Sequence, residues 1–222
     1  MTTTMRRSTQ PTAGTKVTPE MPTVKITRRK IDSILISIGV VAAAAFAVAS
    51  GLLTWGHNFS SDYVRKELTS QHVSFPSAAS LTAEGRTDLA QWAGRPVVTG
   101  DGAQAYASYI NGHLAKVADG KTYADLGSPW FAATAAVANA TKAGEPQATV
   151  AALQVKADAI AAQRTTLFTG ETLRGLLLSA YAWSTVGRIA GLAAIGAFAA
   201  AAATAVLIAL GVGHQRRVPK MG

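Results

Sequence analysis

The chain has 222 residues, of which 15% are charged and 49% are hydrophobic, and its formal net charge is +9 at pH 7. Typical soluble domains carry about 25% charged residues, so this composition argues against a simple soluble domain. Because the chain has no cysteine, disulfides, thiolate metal sites, iron–sulfur clusters and cysteine nucleophiles are excluded.

Two long uncharged runs predict the class of protein. Residues 33–55 and residues 189–212 contain no charged side chain. As helices, each would reach about 35 Å at 1.5 Å per residue, enough to cross a hydrocarbon core of about 30 Å. Trp55, Tyr181 and Trp183 flank these runs and are predicted to be interface anchors, since aromatic rings favour the headgroup zone.

The predicted fold class is an all-α membrane protein, with two transmembrane helices flanking an extracytoplasmic helical bundle. The predicted segments are a disordered cytoplasmic tail over 1–31, a span over 32–56, the external helical domain over 57–182, a second span over 183–213 and a cytoplasmic tail over 214–222. The N-terminal tail is rich in Thr, Pro and Lys and offers little apolar surface to bury.

The distribution of basic residues predicts the orientation. Regions 1–32, 57–188 and 214–222 carry net charges of +5, +1 and +3. Basic residues near the spans favour the cytoplasmic side, so we expect a plasma-membrane protein with both termini cytoplasmic. The excess positive charge favours anionic lipid as a partner. No aromatic-interleaved basic patch favours nucleic acid.

The first span has an alternative interpretation as a cleaved signal peptide. The small-x-small pattern at residues 47–49 resembles a cleavage site, and Arg6-Arg7 and Arg28-Arg29 resemble twin-arginine signals. The apolar run is longer than a signal-peptide core and continues past Leu53, which favours an uncleaved anchor.

Small residues recur at intervals of about four in both runs, and a stripe of this kind lets helices approach closely in lipid. We expect these stripes to form a hairpin between the spans or a dimer; an alanine-rich composition without such a role is the alternative. The predicted helix-packing residues are Gly39, Ala43, Ala47, Gly51, Gly187, Gly191, Ala193, Ala197 and Ala201.

The external segment is predicted to be mostly helical, with a cap at Ser60 or Ser61, a clear helix from Asp101 to a stop at Gly120, and a short extended piece at residues 96–99. Larger side chains are expected to fill its core. They are Phe59, Tyr63, Phe75, Trp92, Tyr106, Tyr109, Tyr123, Trp130, Phe131 and Phe168.

A predicted stalk precedes the second span, and its key residues are Phe168, Glu171, Arg174 and Leu177. Residues 169–171 are interpreted as a joint between the domain and the stalk. A stripe of larger side chains is expected to pack on the outward extension of the first span, around Tyr63, Val64 and Leu68; a leucine-rich segment lying on lipid is the alternative. The stripe comprises Leu173, Leu176, Leu177 and Tyr181.

Candidate chemistry is sparse. His57, His72 and His113 lack the spacing of a helical metal site, and no serine lies in a Gly-x-Ser-x-Gly elbow. The sequence therefore predicts no cofactor, no metal and no enzyme. An envelope enzyme would need dispersed Glu, Asp and His side chains to gather in one pocket.

Several motifs resemble a known family. They are residues 52–57 (LLTWGH), 120–124 (GKTYA), 166–168 (TLF), 171–178 (ETLRGLLL) and 180–182 (AYA). Over residues 35–215 the chain is similar to a family of uncharacterised two-span membrane proteins of high-GC Gram-positive bacteria (Actinobacteria). Some members carry a ring-opening dioxygenase designation, which the scattered histidines of this chain do not support.

The expected function is that of a non-catalytic cell-envelope protein whose external domain acts through protein or lipid contacts, as an accessory or scaffold subunit. Its expected partners are membrane lipid and either another membrane or envelope protein or a homo-oligomer. The alternative is an extracytoplasmic ligand sensor that passes its signal to a separate membrane partner, because a helical bundle between two spans is the layout of sensor input domains.

Overall fold

The computed structural model describes residues 28–217, with side chains from residue 30 onward. The disordered tail predicted for residues 1–31 therefore lies mostly outside the described residues, and its last part is helical. The helices are α1 (Arg28–Ser70), α2 (Ala78–Ala83), a 3-10 helix (Thr87–Trp92), α3 (Gly100–Val117), α4 (Gly127–Lys142) and α5 (Gln147–Arg217). No strand occurs within residues 28–217, so the all-α prediction is confirmed there.

Two of these helices are far longer than the rest. α1 has 43 residues and α5 has 71, which correspond to about 65 Å and about 105 Å at 1.5 Å per residue. Both are long and apolar enough to cross a membrane. Pro146 directly precedes α5, and Gly144 ends α4 with a φ of 69°. Because no proline interrupts residues 147–217, the helix ladder of α5 continues without a break.

α1 and α5 pack antiparallel along a seven-residue repeat. In each helix, one set of positions spaced by seven residues is buried or half-buried throughout. Such a repeat is expected for two helices that wind around each other with a left-handed twist. These positions are Ile36, Ala43, Ser50, His57 and Val64 in α1, and Gly187, Ala194, Ala201, Ile208 and Gln215 in α5.

The remaining helices pack in two apolar clusters on the end of the α1–α5 pair that contains the C-terminus of α1, which we call the outward end. The first cluster joins both long helices to the segment 73–107, and Leu177 of α5 packs against it. Its buried members are Val64, Leu68, Phe75, Leu81, Leu89, Val97 and Ala103. The second cluster joins α3, the following loop and α5 through Leu114, Ala118, Leu126 and Leu167.

The extended piece expected at residues 96–99 forms a short antiparallel contact. Ser74 and Pro96 make an isolated β-bridge. Phe75 N donates to Arg95 O at 3.0 Å, and Val97 N donates to Val73 O at 2.9 Å. These bonds tie the loop after α1 to the segment that leads into α3.

The joint predicted at residues 169–171 is wrong. α5 runs through these residues unbroken, and Gly170 is buried. A Cβ at Gly170 would overlap the side chain of Leu114 in α3, so this glycine provides room for α3. Ser60 and Ser61 are likewise no helix caps, because both lie inside α1.

The expectation that the large aromatic side chains fill the core is correct only in part. Phe75 is buried and stacks on Trp92 at 5.6 Å between ring centroids. Half of the expected core side chains are exposed. They are Phe59, Tyr63, Tyr123, Phe131 and Phe168. Much of the core volume is supplied instead by Leu, Val and Ala.

The loop before α4 is held by three hydrogen bonds between Thr122 and Asp125. Thr122 N and Thr122 Oγ1 each donate to Asp125 Oδ2 at 2.8 Å, and Asp125 N donates to Thr122 Oγ1 at 3.3 Å. The backbone and then the side-chain hydrogen bond from Thr122 lower the pKa of Asp125 below its usual value of 3.8. The hydrogen bonds to the Asp125 carboxylate therefore stabilise the folded protein above the pKa that Asp125 has in the unfolded chain. This stabilisation is lost as pH falls through the lower pKa of Asp125 in the folded protein.

Replacing Thr122 with Val should raise the pKa of Asp125 part of the way back, because the backbone donor remains. A ¹³C NMR titration of the carboxyl group below pH 6 measures this change. Asp88 is the control, since its lowered pKa depends on the Arg86 hydrogen bond. An unchanged Asp125 titration would show that the hydroxyl donor does not stabilise the carboxylate.

Two glycines of α5 form a matched pair for testing the α3 contact. Gly170→Ala should destabilise the protein by about 1–3 kcal/mol through overlap with Leu114. Gly175→Ala should stabilise it by about 0.5–1 kcal/mol, because nothing lies within 4 Å of a Cβ there. Thermal unfolding of the full chain in mild detergent checks both, and Leu114→Ala should reduce the cost of Gly170→Ala. Equal effects of the two substitutions would contradict the close approach.

Candidate functional site

The outward half of the α1–α5 contact carries three hydrogen bonds between the helices. Ser50 Oγ donates to Ala194 O at 3.0 Å, and Ser60 Oγ donates to Trp183 O at 2.6 Å. His57 Nδ1 lies 2.8 Å from Gly187 O. A helix carbonyl has a second lone pair, so it accepts these bonds without losing its bond within the helix.

His57 occupies a defined orientation because of this contact. Since a carbonyl oxygen can only accept, the His57–Gly187 bond assigns the ring proton to Nδ1. The other ring nitrogen makes no hydrogen bond to residues 28–217. The sequence alone does not reveal this contact, because the partner lies 130 residues away on α5.

Two glycines of α5 make this approach possible. A Cβ at Gly187 would lie 2.9 Å from Ser60 Oγ, and a Cβ at Gly191 would lie 2.9 Å from His57 Nδ1. Side chains at either position would therefore separate the helices. These two predicted packing residues lie at the α1–α5 contact.

The other predicted packing residues divide between the contact and the surface. Gly39 lies against Ile208, since a Cβ there would be 3.1 Å from Ile208 Cγ1. Ala43, Ala197 and Ala201 are half-buried, as Gly39 is.

Ala47, Gly51 and Ala193 are exposed, so the prediction that they form the hairpin contact is wrong. A four-residue spacing advances about 40° per step around an α-helix and leaves the seven-residue contact. Whether they contact a second copy stays a prediction.

The predicted anchors lie beside the outward end of this contact. Trp55 and Trp183 are exposed, and Tyr181 is half-buried. Trp55 stacks on Phe59 at 5.6 Å and Phe59 on Tyr63 at 6.2 Å between ring centroids. Four-residue spacing therefore forms an exposed aromatic ladder on α1.

The predicted stalk residues are not brought together as one packed stripe. Leu177 packs against the first apolar cluster, as expected. Arg174 and Glu171 form an ion pair one turn apart on α5. Phe168 is exposed.

The remaining stripe residues also differ from one another. Leu173 and Leu176 are exposed, so their predicted packing on α1 is wrong. Leu176 lies about 100° around α5 from Leu177, whereas Leu173 lies one turn before Leu177 on nearly the same face and is still exposed.

An elongated groove runs along one side of the α1–α5 pair beside His57. It has a volume of about 660 Å³. Its floor is made of small side chains, including Ser50 and Ala194, and its wall on α5 is made of Leu192, Ile195 and Phe198. The groove exists because the floor residues are small while the wall residues are large.

Basic groups lie at the outward end of this groove. Arg188 and His57 both line it. Arg188 Nη1 donates to Asp101 Oδ2 of α3 at 3.2 Å, and both side chains are about half exposed. An ion pair this exposed contributes only about 0–1 kcal/mol. The pair therefore positions Arg188 next to α3 without strongly holding it.

A second polar cluster, which the sequence did not predict, lies farther out. His113 Nε2 is 3.1 Å from Glu84 Oε2, and Tyr109 OH donates to Glu84 Oε1 at 3.3 Å. Lys116 Nζ donates to Glu84 O at 3.0 Å. The sequence does not reveal this cluster, because a loop, a 3-10 helix and a second loop separate Glu84 from α3.

His72 lies in the loop after α1 with a φ of 51°. Within residues 28–217, no group of three His, Asp or Glu side chains is placed to hold a metal ion. The expected absence of an enzymatic activity stays a prediction.

Comparison of the chain with protein-family models, with curated proteins and with solved structures finds no match. The resemblance to two-span actinobacterial membrane proteins therefore also stays a prediction.

The interhelical hydrogen bonds can be tested with neighbouring serines. Ser60→Ala should destabilise the α1–α5 contact by about 1 kcal/mol, because it removes a hydrogen bond between helices. Ser61→Ala is the control, since Ser61 is exposed on the same helix. Unfolding in mixed detergent–SDS micelles, followed by circular dichroism, measures the difference. Equal midpoints for the two variants would contradict a stabilising role.

Proposed function

We propose that this protein is a membrane-anchored envelope protein that acts through protein or lipid contacts rather than by catalysis. In this proposal α1 and α5 cross the plasma membrane, both termini are cytoplasmic, and the helices between them form an external domain. The family resemblance to two-span actinobacterial membrane proteins agrees with this layout.

The exposed apolar surface of the two long helices carries the proposal. Each contains an 18-residue window with a mean hydropathy of 2.3, and none of either window is buried within the protein. Val41, Leu192 and Phe198 are exposed by 70%, 72% and 68%. Covering a side chain of this size is worth about 1.5–3 kcal/mol, so a bilayer around the pair accounts for a surface that water would not tolerate.

The charge at the ends of the helix pair supports the orientation. Arg28, Arg29 and Lys30 begin α1, and Arg216 and Arg217 end α5. Ser33 and Gln215 are hydrogen-bonded at 3.1 Å, so the antiparallel helices bring these basic residues to the same end. Basic residues next to spans favour the cytoplasmic side.

The outermost part of the fold supports a role in contacts. α4 contains no buried residue and packs mainly on α5. Phe131 and Val155 on this pair are 66% and 68% exposed. The proposed partner is therefore another envelope protein or a second copy of the chain.

The uninterrupted α5 favours a second candidate, an extracytoplasmic sensor. One helix runs from Gln147, beside the α4 turn, to Arg217 at the far end of the pair. A continuous helix transmits rotation or translation along its axis. Co-purification from native membranes in mild detergent separates the candidates, because a sensor requires a partner with a cytoplasmic output domain.

The orientation can be tested with single cysteines, since the chain has none of its own. A membrane-impermeant maleimide should label Lys142→Cys in intact cells, because Lys142 is exposed at the end of α4. Lys220→Cys should react only after the membrane is opened. The reverse labelling pattern would overturn the orientation. Labelling of both cysteine variants before lysis, or of neither, would overturn the two-span topology.

A further inference from the structure

The groove on the α1–α5 pair has the dimensions of a binding site. Its volume of about 660 Å³ falls within the roughly 300–1,000 Å³ of small-molecule sites. Along α5 it extends from Arg188 to Phe198, which is about 15 Å at 1.5 Å per residue. This length matches one half of a hydrocarbon core of about 30 Å.

The chemistry of the groove changes from one end to the other. The outward end offers Arg188 and His57, while the inner end offers Ile195 and Phe198. An occupant that suits both ends is anionic at one end and a hydrocarbon at the other. The exposed rings of Trp55 and Trp183 lie at the level of the basic end, where amphipathic rings favour the headgroup zone.

Arg188 keeps donors available for an anion. Arg188 uses Nη1 for Asp101 and Nη2 for Thr185 Oγ1 at 3.5 Å, while a guanidinium has five N–H donors in all. The Arg188 side chain is 51% exposed. The second ring nitrogen of His57 is unbonded within residues 28–217, but because Nδ1 carries the proton of the neutral ring, this nitrogen donates only when the ring is protonated. A guanidinium pairs particularly well with phosphate oxygens, since its planar donors match their geometry.

We propose that the groove binds one anionic phospholipid of the outer leaflet, with its phosphate against Arg188 and an acyl chain along Leu192, Ile195 and Phe198. This proposal rests on the proposed function, because a bilayer supplies the lipid. The carboxylate of Asp101 holds Arg188 close to α3 and competes weakly with the phosphate for it.

Native mass spectrometry of the delipidated full chain in detergent tests the phosphate contact. Phosphatidylglycerol should bind one to one, and Arg188→Gln should weaken its binding about tenfold, as expected for loss of a charge-assisted hydrogen bond. Asp101→Asn removes the same ion pair but retains Arg188, so its binding should equal or exceed that of the parent chain. Equal weakening in both variants would show that the ion pair, rather than the phosphate contact, is responsible, and would overturn the proposal.

A second set of variants tests the apolar part of the groove. Thr54→Phe should fill it and weaken phosphatidylglycerol binding about tenfold. Val186→Phe adds the same bulk at an exposed position outside the groove and should leave binding unchanged. Leu192→Ala removes a wall residue that is 72% exposed, and it should weaken binding even if Thr54→Phe disturbs folding. Unchanged binding in Leu192→Ala and in folded Thr54→Phe would overturn the groove as the site.

Three ligands separate the possible sources of binding. Diacylglycerol with the same chains should bind at least tenfold more weakly than phosphatidylglycerol, and inorganic phosphate should not bind measurably. Equal binding of diacylglycerol, or binding of phosphate alone, would contradict the proposal.

If Thr54→Phe instead dissociates a dimer and leaves lipid binding intact, the groove is a contact between copies. Cysteine labelling judges membrane topology separately, so a correctly inserted protein without bound lipid contradicts this inference alone.

Discussion

The close approach of α1 and α5 is the constraint on which the rest of the structure depends. Gly187 and Gly191 leave no side chain between the helices, and Ser60 and His57 therefore reach backbone oxygens of α5. In the proposed membrane setting lipid chains are as apolar as leucine, so packing and hydrogen bonds must hold the pair together. A wider separation would break these bonds and remove the floor of the groove beside Ser50.

α5 also determines where the outer helices lie. α3 meets it at both ends, through Gly100 beside Ser184 and through Leu114 beside Gly170, which makes the two helices antiparallel. Farther out, Arg164 of α5 lies over the ring of Tyr123, 4.2 Å from its centroid, close to the start of α4. Because these contacts all lie on one continuous helix, the outer helices cannot shift as a group relative to the α1–α5 pair without bending α5.

Much of the helical content could be predicted from the sequence, because its signals are local. Uncharged runs, Gly144 before Pro146 and the helical spacing after Asp101 each mark an element within a few turns of chain. The positions at which α1 and α5 contact each other were harder to predict from the sequence. A four-residue stripe and a seven-residue repeat share Ala43 but diverge by Ala47, and only the partner helix distinguishes them. Gly170 was misread as a joint because the residue that requires it, Leu114, is 56 positions away.

The distribution of polar contacts along the pair gives its two halves different properties. Three interhelical bonds, from Ser50, His57 and Ser60, lie in the outward half, and a fourth joins Gln215 to Ser33 at the opposite end. Deeper in the apolar runs, Gly39 meets Ile208 and contact there relies on side-chain shape. Hydrogen bonds fix register more strictly than small apolar side chains do, so these bonds, most of them in the outward half, determine how α1 and α5 align. The groove lies beside this fixed half, where Ser50, Gly191 and Ala194 are held in place by the same contacts that leave space above them. A groove bounded by residues held in this way keeps its shape when empty. Less conformational entropy is therefore lost when a ligand binds in it.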